Sequence, residues 1–438
     1  MSDETIFTDD FKDEPFWWIA APRPAEAPTT IPARVDIAIV GSGVTGLNAA
    51  RELARAGRNV LVIDAGALGI GATSRNAGNI GRVLKHEFSQ VRQAHGLERA
   101  IAYYREMQAA YDSVEQVASE EAIACHYRKC GRLILAYTEK QLRSAETEAK
   151  GKREHLGEDY AVLSRHDVER ELNSRSFVGG VYLPESASIH PGLYHQGLLD
   201  AAGRQGVAFA PFTTVSGIER SSDSSYKLHT SRGTVQAGKV IVATNGYSTA
   251  GVPRYFKQRL IPFDAYMIAI RVAEADLAAI TPNDRVYIDA NLNLFFFRRS
   301  PDNKHLLFGG RTGSRRPSDL RRMGAALFED ACKLMPALRS HKVSRAWTGR
   351  CAGTFDLYPH IGEADGIHYA AGYCFAGIPM GTYLGRKLAY GLIGKGGDTI
   401  FRERSFPGFP GYGGSSWFVP YVMKYFDLAD RRAGGHPH

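Results

Sequence analysis

The chain has 438 residues, 44% of them hydrophobic, enough to bury a large core and too many for one ordinary domain. Its net charge of +8 comes from 54 basic and 46 acidic residues scattered through one another, a balance that points away from nucleic acid and from disorder. Five cysteines with no CxxC pair give neither a disulfide framework nor a zinc site, and a reducing, cytoplasmic setting is expected.

The first fourteen residues are acidic and lack the basic start and apolar core of a signal peptide. No apolar run approaches the ~20 residues of a membrane span. The most informative stretch follows, RVDIAIVGSGVTGLNAARELARAGRNVLVIDAG. Residues 37–40 read as a buried strand, Val44, Leu47, Ala50 and Ala54 recur at helical spacing, Gly57 suits the helix end, and residues 60–63 read as a second strand. Gly41, Gly43 and Gly46 form GxGxxG between strand and helix, where they allow a tight turn, a pyrophosphate against the backbone, and close helix packing. Asp64 ends the second strand, placed for a ribose hydroxyl, and an acid there argues against a 2′-phosphate. A dinucleotide site is expected, with NAD and FAD both open at this point.

LGIGATSRNAGNIG, residues 68–81, has the small residues of a backbone wrapped round an extended ligand. Residues 97–114 place Leu97, Ile101, Tyr104, Tyr111 and Val114 on one helical face. Residues 238–248, GKVIVATNGYS, read as a buried strand ending in a small-residue turn, and residues 258–272, 285–289, 292–299 and 305–310 as short strands. The densest basic knot, Arg311, Arg315, Arg316, Arg321 and Arg322, reads as a solvated loop and helix start. Residues 366–394 give a further strand, glycine turn and amphipathic helix. A nucleotide fold that returns three times suits a long two-ended cofactor such as FAD. No HExxH, GxSxG or P-loop is present.

In these motifs the chain resembles the FAD-dependent amine and amino-acid oxidase superfamily of D-amino acid oxidase, glycine oxidase and monomeric sarcosine oxidase, and within it the γ-glutamylputrescine oxidase type. The carrying stretches are GSGVTGLNAARELA, GATSRNAG, ATNGYS, LFFFRRSPDNKHLLFGGRT, the WTG…PHIG turn, AAGYCFAG and WFVPYVMKYFDLADR. The resemblance implies an α/β chain: a Rossmann-like FAD-binding domain of residues 36–85, 156–250 and 340–402, interleaved with a mostly antiparallel substrate domain of 86–155 and 251–339. Residues 1–35 would be an N-terminal extension and 403–438 a tail.

By the same likeness FAD is held by Gly41, Ser42, Gly43, Val44, Thr45, Gly46, Asp64 and Ala65, with Ser74, Arg75, Asn76 and Gly78 beneath the flavin and Val215 by the adenine. Ala243, Thr244, Gly349, Gly377, Ile378, Met380, Gly381 and Thr382 complete the cofactor set, the last three lending free N–H groups at a helix start. Tyr266, Phe295, Phe297, Cys351 and Met380 are candidates to face substrate or flavin. The implied reaction is hydride transfer from a carbon bearing an amine to flavin N5. It leaves an imine that water hydrolyses, with O2 accepting the electrons and forming peroxide. A dehydrogenase serving a quinone or carrier protein, and a non-catalytic flavin-binding subunit, are the other readings.

Two departures bear on substrate. Pro379 stands where the sarcosine oxidase pattern has a carboxylate-holding lysine, and Cys351 stands where the glycine oxidase pattern has a carboxylate-clamping arginine. Arg350 is adjacent, but neighbouring strand side chains point to opposite faces. Both departures argue against a small α-amino acid. Cys351 also matches, in the sarcosine oxidase pattern, a cysteine that bonds the flavin covalently. His190 reads either as a general base or as a satisfied histidine at a helix entrance. The aromatic tail, Trp417 to Tyr425, reads by default as packing across the substrate domain, with lining of the entrance or contact with a membrane surface as the other readings.

Overall fold

A computed structural model describes residues 6–23, 30–248, 251–313 and 319–435. The first nucleotide strand is Arg34–Val40, and its alternate residues serve two cores. Ile37 and Ile39 meet helices Val44–Arg55, Leu97–Glu120 and Gly377–Leu392 on one face, while Val35, Ala38 and Val40 enter a second cluster on the other. Burial on both faces is why the strand reads as an unbroken apolar run. Parallel neighbours Val60–Ile63 and Gly233–Val242 flank it, Ala208–Ala210 pairs in parallel on the outer side of Val60–Ile63, and Ile367–Ala371 joins in parallel to the end of Gly233–Val242. This is the doubly wound nucleotide sheet, extended by the antiparallel strands Tyr226–Thr230 and Val215–Arg220.

The second sheet has nine strands in the order Phe7–Lys12, Lys342–Thr354, Leu260–Arg271, His305–Gly310, Phe296–Arg299, Val286–Asp289, Arg132–Ala136, Gly179–Leu183, Ala161–Ser164. Strands Ala161–Ser164, Gly179–Leu183 and Lys342–Thr354 hydrogen-bond into this sheet rather than the nucleotide one, and Phe7–Lys12, within the N-terminal extension, is its edge strand. A third sheet of three two-residue strands, Asn79–Ile80, Ala187–Ser188 and Arg128–Lys129, bridges the two halves.

The tail ends in helix Val419–Arg432, docked through Asp430, whose carboxylate accepts from the N–H groups of Leu292 and Asn293 at 3.0 and 3.2 Å. Its aromatic side chains do not pack on the substrate domain as expected: Tyr421 and Tyr425 on the helix are 55% and 66% exposed, and Trp417, just before it, is 71% exposed. In the basic knot Arg311 pairs with Asp330, Arg321 lies over the Phe7 and Phe11 rings, and Arg315 and Arg316 fall outside the described residues.

Candidate cofactor and substrate site

Gly41 has φ +110°, and a Cβ there would lie 2.8 Å from the Ala243 carbonyl oxygen. A Cβ on Gly46 would lie 2.0 Å from the Gly41 carbonyl oxygen. Both glycines are therefore fixed by close backbone approach. Helix Val44–Arg55 starts with no acid in its first turn, and the Thr73 hydroxyl takes the Val44 N–H at 3.1 Å. Helix Gly377–Leu392 crosses it where Gly381 and Gly385 leave no room for side chains against Thr45, so the positive ends of both helices approach one another. Asp64 accepts from the Ser42 N–H and hydroxyl at 3.0 and 2.6 Å and from the Gly66 N–H at 3.1 Å. Ala65 is exposed beside it. The Thr213 N–H bonds the Asp64 carbonyl, which sets buried Val215 close to this strand end. A cradle of glycine backbone, two helix starts and a strand-end acid suits the diphosphate and ribose of FAD.

The segment from Gly69 to Gly81 is clamped by tryptophans. Trp17 Nε1 donates to the Asn76 carbonyl at 2.8 Å, Trp18 Nε1 to Ser74 Oγ at 2.9 Å, and Trp347 Nε1 to the Arg75 carbonyl at 2.9 Å. The Arg75 guanidinium stacks 4.5 Å from the Trp18 ring and donates to the Ile70 and Thr348 carbonyls. Asn76 closes its own turn, accepting from the Gly78 N–H at 2.8 Å. A Cβ on Gly349 would press on Arg75 at 3.1 Å. The run FWW at residues 16–18 is the signal that could have disclosed this clamp.

Met380 was expected to offer a free N–H. Its N–H instead bonds the Ala376 carbonyl at 3.0 Å and its side chain is fully buried in the apolar core, because the helix begins earlier, at Gly377. The uncapped donors at this end are those of Gly377 and Ile378, Pro379 having none. Thr382 lies deeper, its hydroxyl 3.0 Å from that of Tyr194. The turn after Thr244 places Asn245 Oδ1 on the Gly372 N–H at 3.0 Å, and a Cβ on Gly246 would lie 2.6 Å from the Cys351 carbonyl oxygen.

Tyr266, Phe295 and Phe297 do not face this region. Pairing Met267↔Trp347 puts Met267 and Trp347 with Trp17 on the face toward Asn76, and the alternate residue Tyr266 on the other. There Tyr266, Phe295 and Phe297 sit in the core beneath helix Leu320–Leu334, with Phe297 stacked on Tyr287 at 5.0 Å. Cys351 is paired with Phe263, and Arg350 with Asp264, whose carboxylate accepts its Nε–H at 3.2 Å. Arg350 is thus neutralised and supplies no carboxylate clamp. Burial, then Asp264 and Cys374, push the Cys351 thiol up to about 12.

Two histidines are held neutral. His190 caps helix Pro191–Arg204 by accepting the Leu193 N–H at 3.1 Å, and burial and then Arg298 push it down to about 4. His195 was missed by sequence reasoning. Its Nδ1 accepts from Arg23 at 2.7 Å, so Nε2–H donates to the Ser42 carbonyl at 2.9 Å, and burial and then Arg23 push it down to about 3. An unfolded imidazole protonates near pH ~6.5, so the unfolded chain takes up protons that the folded one refuses. Stability is therefore complete above that pH and falls as pH drops, by about 2 kcal/mol per histidine at pH ~5. Denaturant unfolding at stepped pH is expected to show this acid limb. In His190→Asn, which keeps a capping oxygen, the limb loses one proton of slope; an unchanged slope contradicts it.

These features define a dinucleotide-type fold with a large, mostly antiparallel sheet beside it. Residues 36–391 match the DAO family, FAD dependent oxidoreductase, and the chain belongs to that family. It is 28% identical to γ-glutamylputrescine oxidoreductase of Escherichia coli K12 over 403 residues, 90% of this chain and 93% of that one. Its fold matches the crystal structure of glycine oxidase from Geobacillus kaustophilus with a TM-score of 0.68 at 22% identity, covering 86% of this chain and 99% of the other. It matches L-proline dehydrogenase from P. horikoshii with a TM-score of 0.70 at 19% identity, covering 90% and 99%. The chain is an FAD-dependent oxidoreductase. Among the described residues no helix is long and apolar enough to cross a membrane.

Proposed function

We propose that this enzyme oxidises the C–N bond of an amine other than a small α-amino acid, and that O2 accepts the electrons. The carrying observation is the pairing of Arg350 with Asp264 beside Cys351: on the strand face that carries Trp347 and Gly349 against Arg75, the alternate position offers a thiol where a substrate carboxylate would need a guanidinium. Bound FAD supplies the hydride acceptor. The chain's own part is placement. Trp17, Trp18 and Trp347 hold the segment from Ser74 to Asn76, and the Gly377 and Ile378 N–H groups direct a positive helix end into the site. The named γ-glutamylputrescine oxidoreductase relative supports an amine whose far end is read elsewhere. All five cysteines are free thiols, consistent with a cytoplasmic enzyme. The test is product analysis with polyamines, γ-glutamyl amines and amino acids: aldehyde and peroxide in equal amounts from amines support the reading, and best turnover of glycine or D-amino acids overturns it.

The protonated Cys351 thiol favours a non-covalent cofactor. Acid precipitation is expected to leave a colourless pellet and a yellow supernatant; a yellow pellet contradicts this. A second reading, a dehydrogenase passing electrons to a quinone or carrier, is favoured by the exposed stripe of Trp417, Tyr421 and Tyr425. Sluggish reoxidation in air with fast reoxidation by a quinone selects it.

A further inference from the structure

Arg132 and Arg298 are 9% and 3% exposed, and neither forms an ion pair among the described residues. They stand on one face of the nine-stranded sheet. Val286 pairs with Arg132, and Tyr287 with Phe297, so Arg298 falls on the other flank of Val286. Their heads reach the two ends of one backbone segment: a Cβ on Gly78 would lie 3.1 Å from Arg298 Nη2, and one on Gly81 2.6 Å from Arg132 Nη2.

The three-stranded sheet covers this place, with Asn79, Ser188 and Arg128 in one cross-strand row. Asn79 Oδ1, Ser188 Oγ and the Nε atoms of Arg128, Arg132 and Arg298 are all buried without a protein partner. Arg298 spends one donor on the Ile189 carbonyl at 2.7 Å and lies 5.2 Å over the Trp17 ring. Asp284, the acid that acts on Arg298, is itself paired with Arg128. Two buried guanidiniums without a counter-charge are costly unless an anion joins them, and a carboxylate matches the fork of a guanidinium.

We propose that Arg132 and Arg298, with Ser188 and Asn79, bind a carboxylate carried by the amine substrate at the end remote from the oxidised carbon. The inference rests on the amine-oxidation reading, because both arginines lie against Gly78 and Gly81, at the end of the Ser74 to Gly81 segment that this reading sets against the flavin. The substrate class is then an amine with a distal carboxylate, an ω-amino acid or a longer acylated diamine.

Two measurements on the FAD-loaded protein test it. In the first, glutarate at constant ionic strength is expected to raise the melting temperature saturably in the wild type and not in Arg298→Met or Arg132→Met. No saturable shift, or a shift that survives both substitutions, overturns the site whether or not any amine is oxidised. In the second, anaerobic flavin reduction compares γ-aminobutyrate, δ-aminovalerate and ε-aminocaproate with n-propyl-, n-butyl- and n-pentylamine. The carboxylated member of at least one pair is expected to react roughly 100-fold more efficiently, and Arg298→Met to lose that preference, so that the two members of the pair react alike. Equal loss for both members, or glutarate inhibition that is not competitive with the amine, rules out a substrate subsite. If no amine bleaches the flavin while glutarate still binds, the amine reading fails and the anion site stands as a separate one, which also ends its assignment to substrate. Arg298→Lys retains charge and is expected to recover part of the preference, which a folding defect would not.

Discussion

Replacing Trp17 by alanine is expected to destabilise the protein by about 3–5 kcal/mol and to strip it of FAD. The indole is fully buried among Phe16, Met267, Ala269, Leu307 and Trp347. Its loss opens a cavity and leaves the Asn76 carbonyl without its donor. His190 also loses its edge contact at 4.8 Å and Arg298 the ring beneath it. Flavin loss follows because Asn76 shapes the turn at Gly78. Trp17→Phe separates the parts: it keeps most of the volume, removes the hydrogen bond, and is expected to cost about 1–2 kcal/mol. Thermal unfolding and flavin content of the purified variants decide it. An alanine variant with wild-type melting and full flavin would show that the N-terminal segment is not part of the cofactor scaffold.

Gly46→Ala is expected to abolish FAD retention with a smaller loss of fold stability. The new Cβ would lie 2.0 Å from the Gly41 carbonyl oxygen and 3.3 Å from Ile39 Cγ2, so the helix must retreat from the strand it caps. That movement costs about 1–3 kcal/mol and displaces the N–H groups that face the diphosphate. Gly57→Ala is the control, because nothing lies within 4 Å of its Cβ position and its φ of +77° costs only local strain. Equal flavin content in the two variants would contradict a cofactor role for the Gly41 to Gly46 loop.

The nucleotide half was legible because binding a diphosphate needs a contiguous device: strand, glycine turn, helix and a following acid within about thirty residues. Strand Arg34–Val40 and helix Val44–Arg55 start and stop close to where their apolar spacing and glycines predict. The substrate half was less legible because alternation reveals two faces of a strand without saying which partner covers each. Tyr266 and Phe297 lie on strands whose aromatic residues suit either the sheet core or a substrate face, and packing beneath Leu320–Leu334 places both in the core. Met380 was misplaced by a helix that begins three residues earlier. Trp17, His195 and the Arg132 and Arg298 pair reach their partners across long stretches of chain, and only register and tertiary packing bring those contacts together.

The central claim, FAD-linked oxidation of the C–N bond of an amine other than a small α-amino acid, is tested most directly by mixing the purified yellow protein anaerobically with amines and with α-amino acids and then admitting air. Rapid loss of the yellow absorbance with an amine carrying a distal carboxylate, and its return with peroxide in air, is the predicted result. A flavin that stays yellow with every amine and bleaches only with α-amino acids would contradict it.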